Sequence, residues 1–127
     1  MDSTNSPADD ACCALDGLYD DAEARIAELD DQAPRPDRVA TQETVFKALA
    51  NEKRLRILEA LRGGELCVCE LQAVLDAPQS TVATHLRTLK DAGLLTSRKK
   101  GKWTYYRIAD TATFELLDLG AAIDTEV

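Results

Sequence analysis

Apolar side chains recur along this chain with two periods, and the change from one to the other falls after Gly93. Upstream the spacing is helical. Leu15, Leu18, Tyr19, Ala22, Ile26 and Leu29 fall on one stripe with acids on the other face, which predicts a helix over 15–29. The APRPD stretch at 33–37 ends it. Val45, Phe46 and Leu49 predict a second helix over 41–49. Asn51 is placed to cap a third, NEKRLRILEALR, with Leu55, Leu58 and Leu61 inward, and the glycines at 63–64 stop it. A short fourth helix over 67–75 turns Leu71, Val74 and Leu75 inward. Pro78 suits the first turn of a fifth, QSTVATHLRTLKDAG, which Gly93 closes.

Beyond Gly93 the pattern becomes strand-like. LLTSRKK and KWTYYRI flank a tight KG turn and predict a two-stranded hairpin. TATFELLDLGAAI then returns to helix, with Phe114, Leu117 and Ala121 on one stripe and Leu116 and Ile123 widening it. A terminal helix this apolar exceeds what so small a core absorbs, so a dimer interface is expected there. Residues 1–11 are polar and are expected to be disordered.

Two helices joined by a short turn and followed by a hairpin describe a mainly α fold with a two-stranded β wing, a winged helix-turn-helix. The expected division is an acidic arm over 1–37, with a short helix and a cysteine pair, and a DNA-binding and dimerisation domain over 38–127. In the fifth helix Val82, Leu86 and Leu89 point one way. Ser80, Thr81, Thr84, His85, Arg87 and Thr88 cover the rest. Small hydroxyls, one imidazole and one guanidinium can approach base edges or phosphates without blocking the groove. An amphipathic surface helix would look similar, but a basic wing beside it favours DNA.

The formal net charge of −8 at first argues against nucleic acid. Its distribution reverses that. Residues 1–37 carry a net −9, residues 38–79 are balanced, residues 80–107 carry +6, and residues 108–127 carry −5. A local basic island on an acidic body serves as an electrostatic footprint. Within it, RKKGK puts Arg98, Lys99, Lys100 and Lys102 at the hairpin tip, where they repel one another unless they meet phosphate. Asp exceeds Glu and Arg exceeds Lys, a hint of a salt-loving host.

The opening residues have neither a basic start nor an apolar run, so no signal peptide is expected, and no stretch reaches the ~18 apolar residues of a membrane span. A cytoplasmic protein is therefore expected, where thiols stay reduced. The four cysteines form two tight pairs, Cys12–Cys13 and Cys67–Cys69. Ligands or redox groups are the expected roles rather than structural disulfides. Residues two apart on a helix point about 200° from each other, so Cys67 and Cys69 converge only if the first lies at the helix start, outside helical geometry. An enzyme is not expected: no His lies near any Cys in sequence, and no phosphate-binding loop occurs.

RLRILEAL, ELCVCEL, STVATHLRTLKDAGLL and RKKGKWTYYRI, in that order over roughly residues 41–108, resemble the ArsR/SmtB family of metal-sensing winged-helix repressors. The resemblance implies a homodimer on an inverted-repeat operator, a recognition helix at 79–92, and release when a metal or metalloid binds. It further implies that ELCVC is a thiolate sensor site of the arsenic and cadmium type, with Cys12 and Cys13 as candidates to complete it from the arm. The other site known in such proteins uses His and carboxylates on the C-terminal helices. Here Asp110, Glu115 and Asp118 are available there without a His. Sulfur selects arsenite, antimonite, cadmium, lead or zinc over hard cations. Three thiolates suit trivalent arsenic and four suit tetrahedral zinc or cadmium. The vicinal pair fits the short bite of a pyramid, so arsenite or antimonite is the expected effector. A disulfide or persulfide switch is the alternative that keeps the DNA function.

Overall fold

The computed structural model describes residues 15–123; Cys12, Cys13 and the expected disorder of residues 1–11 lie outside the described residues. The chain divides into two compact units, one ending at Arg38 and one beginning at Val39. No helix among the described residues is long and apolar enough to cross a membrane.

In the first unit the helical stripe is interrupted. A 3-10 turn covers Leu15–Gly17, and helix α1 spans Ala22–Asp31, not 15–29. Asp21 is the reason. Its backbone is extended and its carboxylate accepts from the Ala24 N–H at 3.1 Å, which fixes the helix start there. α1 has no buried residue, and Ile26 and Leu29 of its stripe are exposed. Helix α2 spans Pro36–Leu49, so APRPD ends one helix and begins the next. Proline at the first helical position lacks only an N–H that would have no partner, and its fixed φ already suits the helix.

The second unit holds the core. Asn51 caps α3 (Glu52–Leu61) by accepting from the Arg54 N–H at 3.1 Å. α3 buries Ile57, Leu58 and Leu61, whereas Leu55, expected inward, is exposed. The buried stripe thus passes through Ile57, one helical turn before Leu61. Strand β1 (Leu66–Cys67) leads directly into α4 (Val68–Leu75), which buries Leu71 and Leu75 and leaves Val74 exposed, contrary to the sequence expectation. Asp76 takes the left-handed conformation (φ 51) and turns the chain towards Pro78, which stands at the N-cap of α5 (Gln79–Asp91), just before the first turn where the sequence placed it, and makes no side-chain cap.

Val82, Leu86 and Leu89 of α5 are wholly buried against α3 and α4. Each such side chain contributes on the order of 1.5–3 kcal/mol by leaving water. That burial seats the helix and leaves its other face outward. Strands β2 (Leu95–Lys100) and β3 (Trp103–Ile108) form the wing. Lys100 pairs with Trp103, so only Gly101 and Lys102 make the turn. Gly101 at φ 65 supplies the positive φ that such a tight hairpin needs.

The sheet has three strands, not the two expected, in the order β1-β3-β2. Leu66 pairs with Tyr106 and Cys67 with Tyr105. Two residues are too short for periodicity to reveal. Helix α6 (Thr111–Ala122) begins at Asp110, whose carboxylate accepts from the Ala112 N–H at 2.8 Å. It buries Thr113 and Leu117 but leaves Leu119 and Ile123 about two-thirds exposed, at 65% and 66%. Phe46, Leu49, Leu55, Leu116, Leu117 and Ala121 line an open apolar groove of about 470 Å³.

Candidate nucleic-acid interface and thiol site

Along α5, Ser80, Thr84 and Arg87 form the outermost line, while Thr81, His85 and Thr88 are half-buried on its flank. The Thr84 hydroxyl donates to the Ser80 carbonyl at 2.9 Å, and that of Thr88 donates to the Thr84 carbonyl at 3.2 Å. Each spends its proton inside the helix, which leaves the hydroxyl oxygen as an acceptor on the surface. Arg87 is the exposed cation of this face. Lys90 is engaged elsewhere: its ammonium reaches the Ser97 hydroxyl at 2.8 Å and joins the end of α5 to the wing.

His85 turns towards α3. Its Nδ1 lies 3.3 Å from Nη1 of Arg54, whose Nε donates to the Ala48 carbonyl at 2.6 Å and whose Nη2 donates to the Lys47 carbonyl at 3.2 Å. Burial, then the charges of Arg54 and Lys53, hold the His85 pKa below the ordinary imidazole value. The ring is thus neutral at pH 7. A guanidinium can only donate, so Nδ1 accepts and the proton sits on Nε2. Arg54 was not legible as part of this face, since its contact with His85 spans 31 positions.

On the wing, Lys99, Lys100 and Lys102 are exposed, and the Lys102 ammonium stands 5.5 Å from the centre of the Trp103 ring. Arg98 differs from them. Its Nε and Nη2 each donate to the Glu65 carboxylate at 2.7 Å, and its guanidinium lies 5.6 Å from the centre of the Tyr105 ring. The hydrogen bond from Arg98 is the main reason the Glu65 carboxyl titrates below its usual range.

The two cysteines of CVC occupy different environments. Cys67 is half-buried at the N-cap of α4, with extended backbone (φ −90, ψ 170). Its N–H donates to Glu70 Oε1 at 2.9 Å, a carboxylate reaching back over the helix start. Cys69 is exposed and shares a small hollow of about 190 Å³ with Gln79, Lys102, Trp103 and Thr104. Both thiols are free. Cys67 therefore has the non-helical geometry that convergence of the pair requires, and both sit beside β3 of the wing. Among the described residues no group of three or more His, Cys, Asp or Glu side chains is placed to hold a metal ion.

Residues 51–97 match the family model described as bacterial regulatory protein, arsR family. A cadmium resistance transcriptional regulatory protein of Listeria innocua is 41% identical over 83 residues, which cover 65% of this chain and 70% of that protein. The chain belongs to the arsR family. An arsenic resistance transcriptional regulator of Pseudomonas putida is 46% identical over 71 residues, 55% of this chain and 56% of that protein. Among solved structures, the homodimeric winged helix-turn-helix DNA-binding domain of a Mycobacterium bovis protein is similar at a TM-score of 0.62 and 34% identity, over 70% of this chain and 86% of that one. An antimony-specific transcriptional repressor, AntR, is similar at a TM-score of 0.62 and 35% identity, over 68% and 79%. This arsR-family chain is thus a winged helix-turn-helix transcriptional regulator and not an enzyme.

Proposed function

We propose that the chain is a cytoplasmic homodimeric repressor that holds an inverted-repeat operator with α5 and the wing, and lets go when arsenite or antimonite binds its thiols. The ligands in this reading are Cys12, Cys13 and one of Cys67 and Cys69. One observation carries it: Cys67 starts the first helix of the helix-turn-helix from a strand that is paired to the wing. A ligand that pins Cys67 or Cys69 to the arm acts on the helix packed against α5 and on the sheet beside it. Release requires the ligand to prefer the DNA-free conformation, and the coupling is reciprocal. About 3 kcal/mol would weaken DNA binding some 150-fold, enough to induce transcription. The apolar groove beside α6 and the bare stripe of α1 support the dimer, as does the homodimeric relative.

The vicinal Cys12–Cys13 pair favours a pyramidal three-thiolate site and hence a trivalent metalloid. The similarity to a cadmium regulator supports the second reading, a tetrahedral site for cadmium, lead or zinc that uses all four thiolates. Titration of the full chain with arsenite and with cadmium, read by sulfur-to-metal charge-transfer absorption, separates the two. Cys67→Ser or Cys69→Ser is expected to keep DNA binding and lose the response. Three essential cysteines would indicate arsenite, and four would indicate a tetrahedral metal. Trp103, the chain's sole tryptophan, borders the Cys69 hollow, so its fluorescence should change on the same titration. A protein with all four cysteines changed to serine that still leaves DNA on adding arsenite or cadmium would overturn the mechanism.

A further inference from the structure

Glu65 and Arg98 lie 33 positions apart, yet they are joined by a two-pronged contact, Nε to Oε2 and Nη2 to Oε1, both at 2.7 Å. The contact ties outer strand β2 to the residue just before β1, the other outer strand. Arg98 of β2 pairs with Tyr105 of the middle strand, and Cys67 of β1 pairs with the same Tyr105 from the other side. The guanidinium covers that tyrosine ring. β1 itself is only two residues long and offers just two pairing positions, a weak hold on a wing that must keep its angle to α5. A planar fork on a carboxylate fixes direction as well as distance, which a lysine could not do. The same geometry occupies two of the guanidinium nitrogens of Arg98, which leaves less of it to offer a phosphate than the exposed ammonium groups of Lys99, Lys100 and Lys102.

We propose that Glu65 and Arg98 are positioning residues for DNA binding: together they set the angle of the wing against the strand that enters α4, and Arg98 is not one of the phosphate contacts. The electrostatics give this a distinctive signature. Removing a negative charge beside a DNA-binding face strengthens binding by Coulomb attraction alone. If Glu65 positions the wing, its neutral isostere must do the opposite.

The test uses the full chain and a mixed-sequence DNA duplex several helical turns long, so it needs neither the operator nor a metal. Its failure is therefore distinguishable from failure of the thiol mechanism. Glu65→Gln is expected to weaken binding, by roughly threefold to tenfold, the scale of coupling between touching side chains. Arg98→Gln should weaken it equally, and the double variant should be no weaker than either single. Arg98→Lys, which keeps the charge and loses the fork, should behave like Arg98→Gln. Circular dichroism should show all four variants folded, because the pair lies at the surface and outside the apolar core. Should any variant unfold, the charge-reversed pair Glu65→Arg with Arg98→Glu, which restores the fork, is expected to refold and to recover binding. Tighter binding by Glu65→Gln, near-normal binding by Arg98→Lys beside weak binding by Arg98→Gln, or no recovery in the charge-reversed pair would each overturn the proposal.

Discussion

The recognition helix and the wing meet DNA, in the proposed reading, with opposite physical means. The outer line of α5 carries two hydroxyls and one guanidinium, and its core-facing residues Val82, Leu86 and Leu89 are wholly buried. It offers shape and directed hydrogen-bonding groups but little charge. The wing is the reverse. Three exposed lysines stand on two short strands, with few apolar anchors beyond Leu95 and Ile108. Long flexible ammonium groups supply attraction without direction. The difference teaches a division of labour: an acidic chain approaches a polyanion through a small cationic wing, and the nearly neutral helix is left to choose the sequence.

Neutralising the wing gives the largest expected effect. With Lys99, Lys100 and Lys102 all changed to alanine, binding to every DNA sequence should weaken alike. The slope of log affinity against log salt for the dimer should become shallower by about 5.4, at ~0.9 for each of the six phosphates that its two wings no longer neutralise. Titrations of operator and mixed-sequence duplex over a salt series measure it, and an unchanged slope would remove the wing from the interface. Arg87→Ala on α5 should behave differently. It should cost about 1–3 kcal/mol at one base-pair position while binding to mixed sequence changes little, as a competition assay over substituted duplexes would reveal. Equal weakening on all sequences would make Arg87 a phosphate-binding residue and blur the division.

The smallest effect concerns His85, on the flank of the same helix. Its folded-state pKa lies below the ordinary value of 6.5 because the ring is desolvated and faces Arg54 and Lys53. Protons therefore bind the unfolded chain more readily. The stability that the neutral ring maintains is complete above pH 6.5 and declines as pH falls from there through the lowered folded value. Denaturation midpoints measured from pH 7.5 down to 5 should show this decline, and His85→Gln should flatten it. A midpoint that rises on acidification would contradict the neutral ring.

Much of the fold is legible in the residue pattern. Helical stripes, the Asn51 cap, the tight Gly101 turn and the basic island each depend on a few neighbouring residues, so local spacing and charge fix them. The same locality explains the errors. Leu55 and Val74 have the spacing of core residues, but which edge of a helix is covered depends on what packs beside it. The helix expected over 15–29 is too long because an aspartate that caps and one that merely sits on a polar face look alike in sequence. What only the tertiary structure decided is the set of contacts between distant segments: β1 joining the wing sheet, Arg54 holding His85 across 31 positions, and Glu65 holding Arg98 across 33. Sequence period reports which face of an element is apolar. It carries no information about which ionic or polar partner arrives from elsewhere, because side chains of many kinds satisfy the same solvated position until the fold brings one of them within hydrogen-bonding distance.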